Sequence, residues 1–354
     1  MRHWFNAGPD YTVIFTPNAT GALKLVGESY PFAARGRLLL TEDNHNSVNG
    51  IREMAGRRGV KAEYAALTVP ELRVDLPALE SQLAAADPRA SNLFVFPDFV
   101  CVSFYKMFGY PTGVGCLLAR RSALATLRRP WFAGGTVNFA SVHGRVHILS
   151  PGEAGFEDGT LNYASIPAVS IGLSHLAAAG IDAIHTRVRC LTGWLLQGPV
   201  ARRHSNGRPI VRIYGPITTD MRGGTVTTNF YDPDGHLLDY RRVEKLAGEQ
   251  GISLRTGCFC NPGTGEAAEG ITDEDVAAAI QTVTDLNLLR FLQMITMRGG
   301  RSAGAIRVSL GIGSNFADVQ RFLDFTAGLR DQTRLTMGEV TFDIESCRVI
   351  RDGS

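Results

Sequence analysis

Short apolar runs alternate with helix-like stretches over the first third of the chain. From residue 11 to about residue 120, segments rich in β-forming residues are separated by segments with helical spacing of their apolar positions. This alternation is typical of a mostly parallel sheet covered by helices, so we predict an α/β fold. The predicted strands are residues 12–16, 37–41, 62–66, 92–96, 99–105 and 114–119.

The pattern changes near residue 180. Residues 161–205 have mainly helical spacing, and strands and longer helices are mixed after them. We therefore predict a large domain over residues 1–180, a small α+β domain over residues 181–335, and a tail of unknown role over residues 336–354. The predicted elements of the small domain are strands 210–214, 225–231, 253–256 and 305–310 and helices 236–250, 273–297 and 316–329.

Two predicted strands stand too close together in the sequence. Residues 92–96 and 99–105 both have the pattern of buried parallel strands, yet only Pro97 and Asp98 separate them. A crossover between parallel strands needs about a dozen residues or more. Either the two runs form one long strand with a proline kink, or a connecting segment is missing from this chain.

The composition removes several classes of function. Lys+Arg number 36 and Asp+Glu 34, for a net charge of +2, with 20% charged and 44% hydrophobic residues. This balance argues against a nucleic-acid partner and against disorder. Six cysteines are too sparse for a secreted disulfide framework. No run approaches the roughly 18 apolar residues that span a bilayer, so we expect a cytoplasmic protein without a membrane partner.

The segment FTPNATGAL, residues 15–23, passes from a predicted strand through small polar residues into a helix. Free N–H groups and the positive end of the helix dipole make such a junction a phosphate site. A simple N-cap by Asn18 or Thr20 is the alternative. The segment lacks GxxxxGK[ST], which excludes an ordinary nucleotide P-loop.

Lysine occurs only at positions 24, 61, 106 and 245, so any chemistry that needs an amine has four candidates. Lys106 follows a predicted buried strand and precedes a glycine-rich turn. An amine held in apolar surroundings can form a Schiff base with an aldehyde. The alternative is a lysine that extends from the strand end into water.

Two cysteines and two arginines form the other candidate site. Cys258 and Cys260 lie on a Gly/Pro loop next to Arg255, and loop cysteines near positive charge are the reactive type. A zinc site would need two more ligands, so no metal site is predicted. Arg307 stands inside an apolar strand, where its planar fork would fit a substrate carboxylate. A structural salt bridge is the alternative for Arg307.

These segments, in this order, resemble the class V aminotransferase group of fold type I enzymes that use pyridoxal 5′-phosphate (PLP), and more closely the desulfurase domain of molybdenum cofactor sulfurases. The resemblance covers roughly residues 5–330. It implies a homodimer with a large PLP-binding domain, a small C-terminal domain and L-cysteine as substrate. The motifs that carry it are FTPNATGA, SFYKMFGYPTGVG, FEDGTLNY, RHSNGRP, RTGCFCNPG and AIRVSLGIGSN.

The resemblance implies roles for individual residues. Lys106 is the expected Schiff-base lysine, Arg307 with Arg255 the substrate-binding pair, and Cys260 the acceptor of the sulfur atom, with Cys258 in reserve. The other expected cofactor contacts surround the phosphate or the ring, the last two of them reaching it from the partner subunit: Asn18, Ala19, Thr20, Ser103, His45, Gly135 and Thr136.

The implied reaction converts cysteine to alanine and leaves a persulfide on Cys260. Sulfuration of the molybdenum cofactor is one candidate for the onward step. No sulfur-acceptor domain is recognisable after residue 330, so we expect a separate acceptor.

The sequence also departs from this family. Fold type I enzymes use a carboxylate to keep the pyridine nitrogen protonated, and in this family that aspartate ends a strand lying between the two that here abut. Asp98 is separated from Lys106 by about 26 Å of extended chain and is a poor replacement. The N-terminal arm is short as well, with ten residues before Tyr11. Two alternatives stay open: a catalytically impaired scaffold or binding protein, and another class V activity such as a C–S lyase or aminotransferase.

Overall fold

The computed structural model describes residues 1–85, 91–93, 98–258, 260–282, 304–338, 342–343 and 348–349. The chain forms two units, the first made of Met1–Ala65 and Leu76–Ile181 and the second of Ala66–Asp75 and Asp182–Ser354. The passage at Ile181 lies beside the predicted boundary at residue 180. Residues 66–75 belong to the second unit, although the segments before and after them belong to the first. The hydropathy pattern does not indicate this. Most of the predicted tail lies outside the described residues.

The elements of the first unit follow the predicted alternation of strands and helices. Its strands are β1 (Tyr11–Thr16), β2 (Arg37–Thr41), β3 (Lys61–Ala65), β6 (Ser91–Leu93), β7 (Phe99–Ser103), β8 (Gly115–Arg120), β9 (Val137–Ser141) and β10 (Val146–Leu149). Its helices are α1 (Ala19–Ser29), α2 (Asn46–Asn49), α3 (Ile51–Gly56), α4 (Leu76–Ala84), α5 (Tyr105–Phe108), α6 (Arg121–Leu124) and α7 (Ile166–Ala179), with 3-10 turns at Arg2–Phe5 and Gly152–Phe156.

The strands of the first unit fall into separate sheets. A parallel sheet has the order β3-β2-β6, and an antiparallel sheet has the order β1-β8-β7. Within the described ranges, no strand joins the edge at β6 to the edge at β7. Asp98 directly precedes β7 of the antiparallel sheet, and residues 94–97 lie outside the described ranges. The hairpin of β9 and β10 was not predicted.

One predicted strand is shorter than expected, and this moves Lys106. The run at residues 99–105 ends as a strand at Ser103, and the short helix α5 follows. The buried ring of Phe104 stacks on Phe108, which packs over Gly172 of α7 so closely that a Cβ there would overlap the ring. This packing favours a helical turn over continued strand. Lys106 thus lies on a helix and not at the strand end.

Helix α1 packs on the antiparallel sheet with an apolar face at helical spacing. Its buried residues Ala22, Leu25 and Val26 contact Ile14 of β1 and Leu117 of β8. The i, i+3, i+4 spacing of these positions is what predicts an amphipathic helix. This packing fixes where the first turn of α1 lies.

The second unit contains a four-stranded antiparallel sheet with the order β11-β12-β14-β13. Its core contains Leu195, Phe230, Val243, Ile306 and Phe322, from both the sheet and the helices around it. The predicted helix 273–297 is described only to residue 282. The elements of this unit are the hairpin β4 (Leu67–Thr68) and β5 (Arg73–Val74), β11 (Val211–Tyr214), β12 (Thr225–Phe230), β13 (Arg255–Gly257), β14 (Ala305–Ser309), β15 (Phe342–Asp343), β16 (Arg348–Val349), α8 (Ile181–Ala201, which begins at the last residue of the first unit), α9 (Tyr240–Glu249), α10 (Pro262–Glu269), α11 (Asp273–Thr282), α12 (Phe316–Gly328) and α13 (Arg334–Met337).

In the part of the chain that the structure describes, no single helix is long and apolar enough to cross a membrane. The consecutive helices α7 and α8 reach that threshold only together and are bent at the break between them. Leu191, Leu195 and Leu196 of α8 are buried in the core of the second unit. Part of the apolar surface of this pair is thus used inside the protein.

Candidate functional site

The predicted phosphate site is the first turn of α1. Asn18 is the N-cap of this helix, and its side-chain oxygen accepts a hydrogen bond from the Gly21 N–H at 2.9 Å. The capping alternative is thus correct for the side chain of Asn18. It leaves the Thr20 N–H, in the first turn of an 11-residue helix, as a backbone donor for an anion.

Ser103 connects the end of β7 to this turn. The Ala19 N–H donates a hydrogen bond of 2.8 Å to the Ser103 hydroxyl, which is largely buried. Gly115, at the start of β8, makes the close approach of these segments feasible: a Cβ there would lie 2.6 Å from Asn18 Cα and would also overlap the Val102 carbonyl. The structure therefore brings Ala19 and Ser103 together as the resemblance implies.

A hydroxyl that sequence reasoning missed connects His45 to the same turn. The Thr20 and Ser47 hydroxyls share a hydrogen bond of 2.8 Å, and the Ser47 N–H donates to Nδ1 of His45 at 3.1 Å. His45 is exposed and is the N-cap of α2. Ser47 stands just after β2, and the carboxyl ends of parallel strands are where α/β proteins build their sites. That position was the available signal for Ser47.

Lys106 lies in the first turn of α5, three residues after Ser103. Its side chain is exposed, with Nζ 6.0 Å from the centroid of the Tyr105 ring. Two residues separate it in the chain from Ser103, whose hydroxyl accepts from the Ala19 N–H. The apolar surroundings expected for its amine are not present in this structure.

Gly135 and Thr136 differ in whether their polar groups are available to a ligand. The Thr136 side chain is fully buried, and its hydroxyl accepts from the Ala133 N–H at 2.9 Å and donates to the Ala133 carbonyl at 2.8 Å. Gly135 is exposed, with a left-handed φ of 84° that favours glycine. The open part of this turn is therefore its glycine backbone, because the Thr136 hydroxyl is already used within the turn.

Asp98 has a structural partner. Its carboxylate forms an ion pair with Arg120, with Oδ1 3.1 Å from Nε, and its carbonyl accepts from the Arg120 N–H at 2.8 Å. These contacts close the end of the β7–β8 ladder. They support the prediction that Asp98 does not replace the missing catalytic aspartate.

A second candidate site lies in the second unit, on β13 and β14. Arg255 and Arg307 are cross-strand partners, and Thr227 of β12 lies opposite Arg307 on its other side. Two cations placed directly opposite each other on a sheet repel. Nε of Arg307 is buried and has no hydrogen-bond partner in the described part of the chain. An anion bound between these side chains would reduce the repulsion between the two arginines and would give Arg307 Nε an acceptor.

Cys260 contacts one of these arginines. Arg255 Nη2 donates a hydrogen bond of 3.1 Å to its sulfur, and the Cys260 side chain is half-buried. Cys258 is exposed. By contrast, burial raises the pKa of both Cys101 and Cys116 to about 12. The loop cysteines are therefore the better nucleophiles, and Cys347 lies outside the described residues.

A cavity of about 400 Å³ brings these groups together. All its lining residues belong to the second unit, including the β4–β5 hairpin at residues 66–75. Four arginines, both loop cysteines and the carboxylate of Glu71 line it, and the four arginines are Arg73, Arg222, Arg255 and Arg307. Sequence reasoning missed Arg73 and Arg222, because nothing in the local pattern shows that residues 66–75 join the second unit.

A buried polar cluster supports the wall of this cavity. Tyr214 lines the cavity, and its hydroxyl donates a short hydrogen bond to Glu269, the last residue of α10. Asn229 donates to the Tyr214 hydroxyl at 3.0 Å and to the Gly304 carbonyl at 3.2 Å. Burial is the main cause that raises the pKa of Tyr214. The cluster ties α10, which follows the cysteine loop, to the sheet.

PLP has three groups that a protein contacts: the phosphate, the aldehyde and the ring nitrogen. The residues of the first unit fit the phosphate and the aldehyde. The Thr20 N–H and the hydroxyls of Thr20, Ser47 and Ser103 are a donor set suited to a phosphate, and the Ala19 N–H holds the Ser103 hydroxyl at this turn. The Lys106 amine suits an aldehyde. For the ring nitrogen, the one carboxylate weighed from the sequence, Asp98, is paired with Arg120.

Comparisons with known proteins identify the family. The family model described as aminotransferase class-V matches residues 1–90 and 96–322. A curated relative, the molybdenum cofactor sulfurase of Arabidopsis thaliana, is 32% identical over 418 residues, which cover 92% of this chain and 49% of that protein. The chain thus spans about half the length of the curated relatives it matches.

Two solved structures show the fold. The cysteine desulfurase CsdA of Escherichia coli has a TM-score of 0.69 and 16% identity, covering 92% of this chain and 81% of its own. The apo cysteine desulfurase of Thermococcus onnurineus NA1 has a TM-score of 0.69 and 20% identity, covering 93% and 81%. The predicted fold type I architecture is therefore confirmed.

The comparisons also bear on the short junction after β6. The family match breaks at residues 91–95, beside Pro97 and Asp98. The alignment with the Arabidopsis relative is longer than the 354 residues of this chain. Relatives therefore contain residues without a counterpart here, in agreement with a missing segment at this place.

Proposed function

Because the chain belongs to the aminotransferase class-V family, we propose that it is a PLP-dependent cysteine desulfurase that transfers sulfur from L-cysteine to Cys260. The observation that carries the proposal is the contact of Cys260 with Arg255 in a cavity that also contains Arg307. A nucleophilic sulfur and a carboxylate-binding cation are the two groups that this reaction needs from the protein.

The cofactor would be held by residues of the first unit. The Thr20 N–H and the Ser103 hydroxyl, which the Ala19 N–H holds in place, would bind its phosphate, and the Lys106 amine would tether its aldehyde. When bound, PLP supplies an electron sink that weakens bonds at the substrate's α- and β-carbons. His45 is proposed to cover the ring, and the Gly135 backbone of a second copy to reach the phosphate.

The substrate would be bound and cleaved by residues of the second unit. Arg307 would bind the carboxylate of cysteine, since its Nε is buried without a partner in the described residues. The Cys260 thiolate would attack the substrate sulfur, so that the substrate C–S bond breaks and an S–S bond forms on Cys260. Arg255 would stabilise the negative charge on sulfur, and the Lys106 amine would return a proton to carbon to complete alanine.

The onward acceptor is also a proposal, because the chain spans about half of its curated relatives. The relative from Arabidopsis is a molybdenum cofactor sulfurase, which supports sulfuration of that cofactor as the physiological reaction. We also propose a cytoplasmic location.

We further propose a homodimer that covers the β9–β10 hairpin. Phe139 and Ile148 face each other across this hairpin, Val146 lies on the same face, and each is more than half exposed. Gly135 precedes β9, so a second copy seated on this face would lie next to the proposed phosphate-reaching turn. Ile148→Glu should shift the protein to monomer in light scattering after gel filtration, whereas Ile280→Glu, at an equally exposed position of the second unit, should not.

Alanine formation from L-cysteine by the PLP-loaded protein tests the proposed reaction. Cys260→Ala should abolish it, whereas Cys258→Ala and Cys190→Ala, which remove other exposed thiols, should retain most of it. Full activity in Cys260→Ala would contradict sulfur transfer through this residue and favour a C–S lyase or aminotransferase activity.

A catalytically impaired scaffold is the second candidate. The observation in its favour is the pairing of Asp98 with Arg120, together with the break in the family match at residues 91–95. A wild-type protein that binds PLP but forms no alanine from cysteine would support the scaffold over the enzyme.

A further inference from the structure

The cysteine-loop cavity contains more positive charge than its proposed substrate needs. Arg73, Arg222, Arg255 and Arg307 line it, and Glu71 is the carboxylate among its lining residues. None of the four arginines forms an ion pair with a carboxylate in the described part of the chain. The carboxylate of one cysteine would neutralise Arg307, and an anionic Cys260 sulfur would neutralise Arg255. Two cations, Arg73 and Arg222, remain, against the one carboxylate of Glu71.

Arg73 and Arg222 are held in place by backbone carbonyls. Arg73 Nη2 donates to the Asp220 carbonyl at 2.7 Å, and Arg222 donates to the carbonyls of Pro216 and, at 2.7 Å, Thr225. Carbonyls satisfy N–H groups but leave the charge of a guanidinium uncompensated. Nε of Arg222 is buried without a hydrogen-bond partner in the described residues.

The two guanidinium groups are close enough to repel. Burial, and then the positive charge of Arg73, lower the pKa of Arg222. Arg73 reaches this cavity only because the β4–β5 hairpin leaves the first unit and joins the second. The fold thus places a second cation next to Arg222, which an empty cavity would disfavour and a dianion would stabilise.

We propose that the Arg73–Arg222 side of the cavity binds the phosphate group of a sulfur acceptor. A phosphomonoester carries a charge of about −1.5 to −2 at neutral pH, which matches two arginines, and its oxygens accept from guanidinium forks. The inference rests on the proposed persulfide at Cys260. An acceptor thiolate would attack the outer sulfur of that persulfide, the S–S bond to Cys260 would break, and Cys260 would leave as a thiolate. The sulfur atom moves without any added oxidant or reductant.

Two thiols that differ only in a phosphate test the proposal: pantetheine and 4′-phosphopantetheine. With the full, PLP-loaded chain carrying the persulfide, kcat/KM for sulfur transfer should be about tenfold higher for the phosphorylated thiol. Arg73→Gln should lower this ratio to about twofold or less. Equal use of both thiols by the wild type, or an unchanged ratio in Arg73→Gln, would overturn the proposal.

Arg189→Gln is the matched control. Arg189 contacts the Asp220 carboxylate at 3.6 Å and the Thr219 hydroxyl, on the loop whose Asp220 carbonyl accepts from Arg73, but it does not line the cavity. The ratio in Arg189→Gln should equal that of the wild type. A parallel loss in both variants would mean that general surface charge, and not the cavity, sets the preference, which would overturn the proposal.

A binding measurement separates this inference from the proposed enzyme activity. Inorganic phosphate, at constant ionic strength, should slow alkylation of Cys260 by iodoacetamide in the PLP-loaded protein, and Arg73→Gln should remove this protection. Protection that persists in Arg73→Gln overturns the site. Protection without any alanine formation from cysteine supports the site and contradicts the desulfurase. Alanine formation from cysteine, without protection by phosphate and without a preference for the phosphorylated thiol, supports the desulfurase and contradicts the phosphate site.

Discussion

Arg255 donates a hydrogen bond of 3.1 Å from Nη2 to the sulfur of Cys260. The bond joins β13 to the loop that leads into α10, and it places a fixed positive charge beside a half-buried thiol. Arg255 is also the cross-strand partner of Arg307. This cross-strand pair therefore provides one arginine for the sulfur of Cys260, Arg255, and one for the expected substrate carboxylate, Arg307.

Arg255 should control the reactivity of Cys260. Arg255→Gln should slow alkylation of Cys260 by iodoacetamide at pH 7 about threefold to tenfold, because a charge that stabilises the sulfur anion is lost. Arg255→Lys should restore part of the rate. Cys190, exposed on α8, provides an internal reference whose rate should not change. Equal Cys260 rates in the wild type and Arg255→Gln would rule out this role.

The buried thiols should be protected in the folded protein. Burial raises the pKa of Cys101 and Cys116 to about 12, so almost no thiolate forms near neutral pH, and both lie on strands of the antiparallel sheet. Mass spectrometry after alkylation should find them labelled only in denaturant, while Cys190, Cys258 and Cys260 react without it. Labelling of Cys116 at the rate of Cys190 would show that this sheet opens.

Gly115→Ala should damage the start of α1. A Cβ there would lie 2.6 Å from Asn18 Cα, a backbone atom that cannot rotate away. The free energy of unfolding should fall by about 1–3 kcal/mol, and PLP affinity should fall with it. Gly248→Ala, in α9 with open space around the new methyl group, should not destabilise the protein. Urea denaturation and PLP titration measure both, and equal behaviour of the two variants would refute the close contact.

The Asp331 carboxylate should stabilise the second unit in a pH-dependent way. The Ser205 hydroxyl, at 2.5 Å, and the Ser205 N–H, at 2.8 Å, lower the pKa of Asp331. A pKa lower in the folded than in the unfolded state means that the unfolded chain binds more protons, so this stabilisation is complete above the unfolded value of about 3.9 and is lost as pH falls through the folded value.

The variant Asp331→Asn tests this direction of the pH dependence of stability. The variant should have a lower melting temperature than the wild type at pH 6, and the difference should shrink below about pH 4. Asp324→Asn, which replaces an acid on the nearby helix α12, should show no such convergence. A difference between wild type and Asp331→Asn that grows on acidification would contradict the account.

The sequence predicted the parts of the site that depend on local pattern. The strand-to-helix passage at Asn18 and the apolar surroundings of Arg307 were readable, because each depends on residues next to each other in the chain. The structure places Ser103 against Ala19, as the family resemblance implies. The end of β7 was misplaced by two residues, because packing of Phe104 on Phe108 and α7 decides it.

The parts that escaped prediction depend on contacts distant in sequence. Arg73 enters the cavity because residues 66–75 join the second unit, and Ser47 meets Thr20 because β2 ends beside α1. Neither contact leaves a periodic signal. The buried state of the Thr136 hydroxyl likewise depends on how its own turn closes onto Ala133.

The central claim is that the amine of Lys106 is the group that tethers PLP. Borohydride reduction of the PLP-loaded protein, followed by peptide mass spectrometry, tests it directly, because the chain has only four lysines. We predict a reduced pyridoxyl phosphate adduct on the peptide that contains Lys106, and its loss, together with the visible absorbance, in Lys106→Ala. An adduct confined to Lys24, Lys61 or Lys245, or no adduct at saturating PLP, would contradict it.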